Sequence, residues 1–323
     1  MSRDTLERHQ VWIYLAVICL GLALGLLFPA LAALPDWILW AVLGLLLFAT
    51  FTQVPMEHVG RAFVDVRFTT TLLIGNFLLV PALVWLLVQF LPDDPVIRLG
   101  VAAVLLVPCT DWFISFTHLG RGNTAQAIAV SPLLLFAQIL LLPVYLVLLF
   151  DGAILADGLN AGRLVGVFLG LIVGPLILAA LLEHWAGACA QRSAIIARLC
   201  WLPVPLLALV VFLIAASQVQ VAVQWLPAMG VVTAVFVAYL VIAALGGRWL
   251  GRQAGLGVPA ARTLVFSLGT RNSFVVLPLA LSLPAGWEAA VVVIVLQSLV
   301  ELLGMSLYLR WVPNRLLPDG PLP

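Results

Sequence analysis

Apolar residues run along this chain in stretches of about 18–25, the length a helix needs to cross roughly 30 Å of hydrocarbon. Charges and Pro/Gly turns separate ten of them, at 11–34, 37–54, 68–91, 97–119, 125–150, 160–183, 200–217, 224–247, 261–283 and 287–311. The turns between them are short and polar, as in Leu91-Pro-Asp-Asp-Pro95 and the segment from Asp151 to Gly158. The pattern predicts an all-α polytopic membrane protein of ten transmembrane helices, one integral membrane domain over 1–323. No soluble domain, long linker or low-complexity segment is expected. The polar amino terminus leads into an apolar run of full spanning length, so a cleavable signal is not expected either.

Two stretches break the pattern. The fourth contains Val107-Pro-Cys-Thr-Asp-Trp112 and the ninth contains Ser267-Leu-Gly-Thr-Arg-Asn-Ser273. Proline removes a helix hydrogen bond, and Thr and Asp favour the start of a new helix. Irregular backbone at that depth is tolerated only when it is buried in protein or lines a water-filled cavity. Asp111 and Arg271 lie 160 residues apart, close to half the chain. Interrupted spans in matching halves point to two five-helix inverted repeats, about 11–150 and 160–311, around a central site.

Composition sharpens this. Hydrophobic residues are 64% of the chain and charged residues 9%, against roughly 25% charged in a soluble domain. All fifteen basic residues are Arg, so no lysine Schiff base or P-loop lysine is available, and no G-x-x-x-x-G-K-[ST] occurs. With both termini cytoplasmic, twelve arginines fall on cytoplasmic segments and only Arg98 and Arg163 on outer loops. That bias fits ten spans in a cell inner (plasma) membrane. A net charge of +1 argues against a nucleic-acid partner. The cysteines Cys19, Cys109, Cys189 and Cys200 are scattered, which makes a disulfide framework improbable. His9, His58, His118 and His184 have no metal-ligand spacing, so neither a metal nor a cofactor is expected. Trp12, Trp37, Trp185, Trp225, Trp287 and Trp311 cluster near span ends, as an interfacial aromatic belt would.

The candidate chemistry sits at the two breaks. Asp111 and Arg271, with Glu301 in the tenth span, are the charges near the middle of a span. An intramembrane ionisable residue is by default a functional candidate, although an Asp111–Arg271 ion pair could simply hold the breaks together. Cys109 stands beside Asp111, where a lone buried cysteine is either a small apolar filler or a ligand. Thr110, Asn272 and Ser273 supply donors and acceptors to a solute, or cap the half-helices. Gln297 and Glu301, one turn apart, share a face that should turn inward. Ser131-Pro132 and Gln138 in the fifth span are further polar candidates to face the site. No nucleophile with a base and an orienting partner is evident, so catalytic residues are not expected.

These residues resemble the superfamily of bile acid:sodium symporters, and within it the bacterial arsenic-resistance permeases that extrude arsenite. The most specific stretch is Cys109-Thr-Asp-Trp112 followed by Thr117-His-Leu-Gly-Arg-Gly-Asn123, which is similar to the family's fourth-span motif. Arg271-Asn272 in the interrupted ninth span, with Glu301 in the tenth, is the second match. The resemblance implies broken, crossing helices 4 and 9, a core domain from spans 3–5 and 8–10, and a panel from spans 1, 2, 6 and 7. It also implies that Cys109 handles arsenite, since soft thiolates suit soft metals and metalloids. In two respects the chain departs from the family. The sodium symporters carry an acidic residue and a glutamine in the ninth-span break, where Ser267 and Arg271 stand here. The arsenite permeases place an asparagine and a glutamate where Arg271 and Phe274 stand.

The expected activity is efflux of arsenite or antimonite by proton-coupled alternating access. Cys109, Thr110, Asn272 and Ser273 would bind the solute, and Asp111, Arg271 and Glu301 would couple it to protons. The alternative is an organic-anion transporter of the same fold. The expected partners are a small inorganic or organic solute, protons and the lipid bilayer.

Overall fold

The computed structural model describes residues 3–28, 31, 36–53, 65–110, 112–149, 166–186 and 198–320. The helices, in chain order, are α1 (Arg3–Leu27), α2 (Asp36–Phe51), α3 (Val66–Val88), α4 (Pro95–Leu106), α5 (Trp112–Leu119) and α6 (Thr124–Leu149). They continue with α7 (Gly174–Ala186), α8 (Pro203–Ser217), α9 (Val219–Gln224), α10 (Leu226–Gln253), α11 (Val258–Gly269), α12 (Ser273–Leu281) and α13 (Ala289–Trp311). Among the described residues there is no strand, only one isolated antiparallel bridge between Pro108 and Arg271. Five helical segments are long and apolar enough to cross a bilayer, at Val66–Val88, Thr124–Leu142, Leu169–Ala186, Leu226–Gln253 and Ala289–Leu316. Five shorter apolar helices accompany them, among them Pro95–Leu106 and Val258–Gly269, the leading halves of the interrupted stretches. The chain is a multi-pass membrane protein. Leu140, Leu148 and Leu307, each about 70% exposed, present the apolar surface that lipid covers.

Local sequence explains where the helices start and bend. Asp94 caps α4, accepting from the backbone N–H groups of Val96 and Ile97, with Pro95 at the first helical position where its missing N–H is no loss. Asp65 caps α3 through Phe68 N, and its other oxygen accepts from Gln126 Nε2 at 2.6 Å. Inside α3 the backbone widens to a π-helical turn at Gly75–Leu79. Pro81 follows that turn and cannot donate to the carbonyl of Phe77 four residues back. The phenol of Tyr145 on α6 donates to that carbonyl instead, at 2.6 Å. A π turn inside a helix is frequently a functional feature, and this one carries Asn76.

The chain divides into two compact units. The first comprises Met1–Gln53, Ala153–Met229 and Phe274–Leu299. There α1 packs on α8 through Gly21 and Gly25, a close approach that only small residues permit. A Cβ on Gly25 would stand 2.4 Å from the carbonyl oxygen of Ala216. The second unit comprises Val54–Gly152, Gly230–Ser273 and Val300–Pro323. Residues 274–299, expected with spans 3–5 and 8, belong instead with spans 1, 2, 6 and 7.

Within the second unit the turn Leu119–Asn123 closes onto the first turn of α11. Asn123 N donates to Pro259 O and to Thr263 Oγ1, and Asn123 Oδ1 caps α6 by accepting from Gln126 N. Gly120 lies so close to the Phe266 ring that a Cβ would overlap it at 2.1 Å. Arg262, 2% exposed, donates to Leu317 O, Pro313 O, Arg121 O and Asp319 Oδ1. One guanidinium thus ties the start of α11 to that turn and to the segment after α13.

Candidate functional site

The site grows from the two interruptions. Helix α4 stops at Leu106 and Val107 is extended; α11 stops at Gly269 and Thr270 is extended. Each interruption strands backbone groups that have no water to satisfy them. They satisfy each other. Cys109 N donates to Thr270 O at 3.2 Å and Asn272 N donates to Val107 O at 2.8 Å, on either side of the Pro108–Arg271 pair. In such a non-hydrogen-bonded pair neither facing residue donates across. Pro108 therefore loses nothing by lacking an N–H, and the N–H of Arg271 is left to turn elsewhere. It donates to Glu301 Oε2 on α13 at 2.9 Å.

The carbonyls at the end of α11 find new donors in turn. Ser267 O would have accepted from Arg271 N in a continuous helix; it accepts from Arg271 Nη2 at 2.6 Å. Leu268 O would have accepted from Asn272 N; it accepts from the Tyr239 phenol at 2.7 Å. Leu105 O at the end of α4, whose helical donor would have been Cys109 N, accepts from Arg271 Nη1 at 3.4 Å. Asn76 on the π turn completes the set. Its Oδ1 accepts from Arg271 Nη2 at 2.8 Å, while its Nδ2 donates to Leu72 O and to Ser267 Oγ at 2.9 Å. The guanidinium also lies 5.8 Å from the centroid of the Tyr239 ring.

Arg271 is 1% exposed, and its burial is explained by this surround. Two helix carboxyl ends, each carrying a partial negative charge, converge on one fixed positive charge. The structure thus brings Arg271 and Glu301 together through the Arg271 backbone. It places Cys109, Thr110, Asn272 and Ser273 at the interruptions, all buried. Ser131 Oγ donates to Thr110 O at 2.5 Å, so the fifth stretch also reaches the break. Thr110 Oγ1 and both amide atoms of Gln138 are buried without a hydrogen-bond partner. Asp111 lies outside the described residues, and so do His58 and Cys189. Cys19, Cys109 and Cys200 form no disulfide, and no group of His, Cys, Asp and Glu among the described residues could hold a metal ion.

Sequence reasoning missed Asn76, Leu105 and Tyr239. Asn76 carried a signal: it is a carboxamide in an apolar run, five residues before Pro81. Leu105 had none, since it acts through its carbonyl.

Residues 40–225, more than half of the chain, match the family described as the sodium bile acid symporter family. The match takes in Asn76 and Cys109 and ends before Ser267, Arg271 and Glu301. No curated protein matches the chain.

Proposed function

The chain belongs to the sodium bile acid symporter family, whose members are transporters and not enzymes, and from that premise we propose that it expels arsenite in exchange for protons. The observation that carries this reading is a buried thiol, Cys109, held at the bridge between two interrupted helices, next to a buried Arg271–Glu301 contact. Thiols suit trivalent arsenic as they suit soft metals. Arsenite at neutral pH is mostly As(OH)3. Exchange at Cys109 would form an S–As bond and break one As–O bond, the thiol proton leaving with the hydroxide as water. The step is redox-neutral and reverses on release. Thr110, Asn272 and Ser273 are the polar groups at the breaks for the remaining hydroxyls.

Protons would enter through the carboxyl groups. Glu301 is 1% exposed and Asp111 stands in the fourth-stretch break. A carboxyl in this setting carries a proton through a buried path more readily than any neutral neighbour. The arginine distribution supports cytoplasmic termini and a cell inner (plasma) membrane. Exchange of one neutral solute for an inward proton then draws on the gradient that membrane maintains.

A second reading is an organic-anion transporter, which the family's description favours by naming a bile acid. Against it, three of the five N–H groups of the Arg271 guanidinium already donate to oxygens of this chain. Expression in arsenite-sensitive cells tests the choice. Lower arsenite accumulation than in vector controls supports efflux; unchanged accumulation at full membrane abundance, with uptake of a bile acid, supports the second reading.

A further inference from the structure

The description of the family names sodium, and the interrupted helices of this chain do not fit one. The oxygens for a hard monovalent cation are present: Leu105 O and Ser267 O at the carboxyl ends of α4 and α11, and Asn76 Oδ1 on the π turn. In transporters with broken helices such carboxyl ends and unwound carbonyls are what coordinates a coupling sodium. Carbonyl oxygens do so by replacing the ion's hydration shell. Here all three receive N–H groups of Arg271. A guanidinium stays charged at every physiological pH, and a second cation among the same oxygens would meet it at close range without screening.

We infer that the Arg271 guanidinium is a tethered substitute for a bound alkali cation, and that removing it turns the cradle of Leu105 O, Ser267 O and Asn76 Oδ1 into a sodium site. Three features of the cradle carry this. Its three acceptors are neutral oxygens and both its backbone members are freed by the interruptions, so among the described residues the guanidinium is hydrogen-bonded by dipoles. The Tyr239 face lies alongside, a further attraction for a cation. Asn76 is fixed by its own donations to Leu72 O and Ser267 Oγ, so the oxygen it offers stays aimed when the guanidinium is gone. The tethered charge makes the resting arrangement of the two breaks independent of sodium concentration.

The inference rests on the family membership and not on arsenite as substrate, and its test contains no arsenite, so the two fail separately. Full-length protein and its Arg271→Ala variant are purified in detergent with choline chloride as the only salt. Binding of radioactive sodium is measured, and thermal unfolding is compared in sodium and choline chloride at equal ionic strength. The wild type should bind no sodium and unfold at the same temperature in both salts. Arg271→Ala should bind sodium saturably, about one ion per chain, and unfold several degrees higher in sodium than in choline, as a ligand specific to the folded state requires. Adding Asn76→Leu to that variant should abolish the sodium effect. Where Arg271→Ala does not survive purification in choline, its membranes are solubilised in sodium or in millimolar guanidinium. Recovery of monodisperse protein in sodium, with loss in choline, supports the inference; recovery in guanidinium alone overturns it. Sodium binding by the wild type, a folded Arg271→Ala indifferent to sodium, or equal loss in all three salts overturns it.

Discussion

The carbonyl of Ser267 and the side chain of Arg271 meet at 2.6 Å because the backbone of Arg271 has abandoned that same carbonyl. In an unbroken α11 the Arg271 N–H would close the turn onto Ser267 O. It points to Glu301 Oε2 instead, and the guanidinium of the same residue returns to satisfy the orphaned oxygen. One residue therefore both opens the helix and repairs it. The buried charge is held by helix ends, which a list of charged side chains does not reveal.

Replacing that side chain should be costly. In sodium-free buffer Arg271→Met leaves Ser267 O, Leu105 O and Asn76 Oδ1 without these donors, and the loss should reach about 3 kcal/mol or more, since each buried acceptor left unsatisfied costs about 1–3 kcal/mol. Arg271→Lys should recover part of it. Unfolding of the purified variants gives the comparison; a loss under about 1 kcal/mol, the worth of one ordinary hydrogen bond, would mean the three contacts carry little.

Glu301→Gln keeps an acceptor for the Arg271 N–H and so should change stability by less than about 1 kcal/mol. If Glu301 carries the coupling proton, flux driven by a pH gradient should fall at least tenfold while solute exchange without a gradient persists. Unaltered gradient-driven flux would remove Glu301 from the coupling path and leave Asp111 as the remaining carboxyl at the breaks.

Cys109→Ser should abolish arsenite efflux with normal membrane abundance, because the hydroxyl keeps the shape of the site and loses the soft ligand. Its backbone N–H still reaches Thr270 O, so the bridge is untouched. Arsenite accumulation and protein level are measured together. Normal efflux would clear the thiol of a role; loss of both would make it a packing residue.

Gly25→Leu tests the α1–α8 contact in the first unit. Its Cβ would stand 2.4 Å from Ala216 O, where backbone cannot move aside. The overpacking should lower stability by about 1–3 kcal/mol or more. Gly166→Ala, at a glycine with nothing within 4 Å of the added Cβ, serves as the control and should be silent.

Much of this was readable in the sequence, and the limits have a physical cause. Helix positions followed from apolar length: 125–150 is observed as Thr124–Leu149 and 287–311 as Ala289–Trp311. The two interruptions followed from Pro108 and from the polar run Ser267 to Ser273, since hydrocarbon tolerates neither in a lipid-facing helix. Arg271 was legible as a buried charge, but its surroundings were not. Charge alone proposed Asp111 as its partner, and Asp111 lies outside the described residues; the described partners of the guanidinium are two carbonyls and a carboxamide. A carbonyl is free only where a helix bond fails, and which bond fails depends on how residues 107–109 pair with 270–272. That pairing joins positions 163 residues apart, from Pro108 to Arg271, and no local pattern encodes it. The grouping of residues 274–299 with spans 1, 2, 6 and 7 escaped for a related reason, because periodicity marks where helices are and not which neighbours they choose.

The proposed activity is the movement of arsenite against protons. Everted membrane vesicles, loaded and diluted to impose either a pH gradient or a sodium gradient of equal size, measure it directly through radioactive arsenite uptake. The expected uptake follows the pH gradient, collapses with a protonophore, ignores sodium and is absent with Cys109→Ser. Uptake driven by sodium alone, or no arsenite uptake under either gradient from vesicles that hold the folded protein, would contradict it.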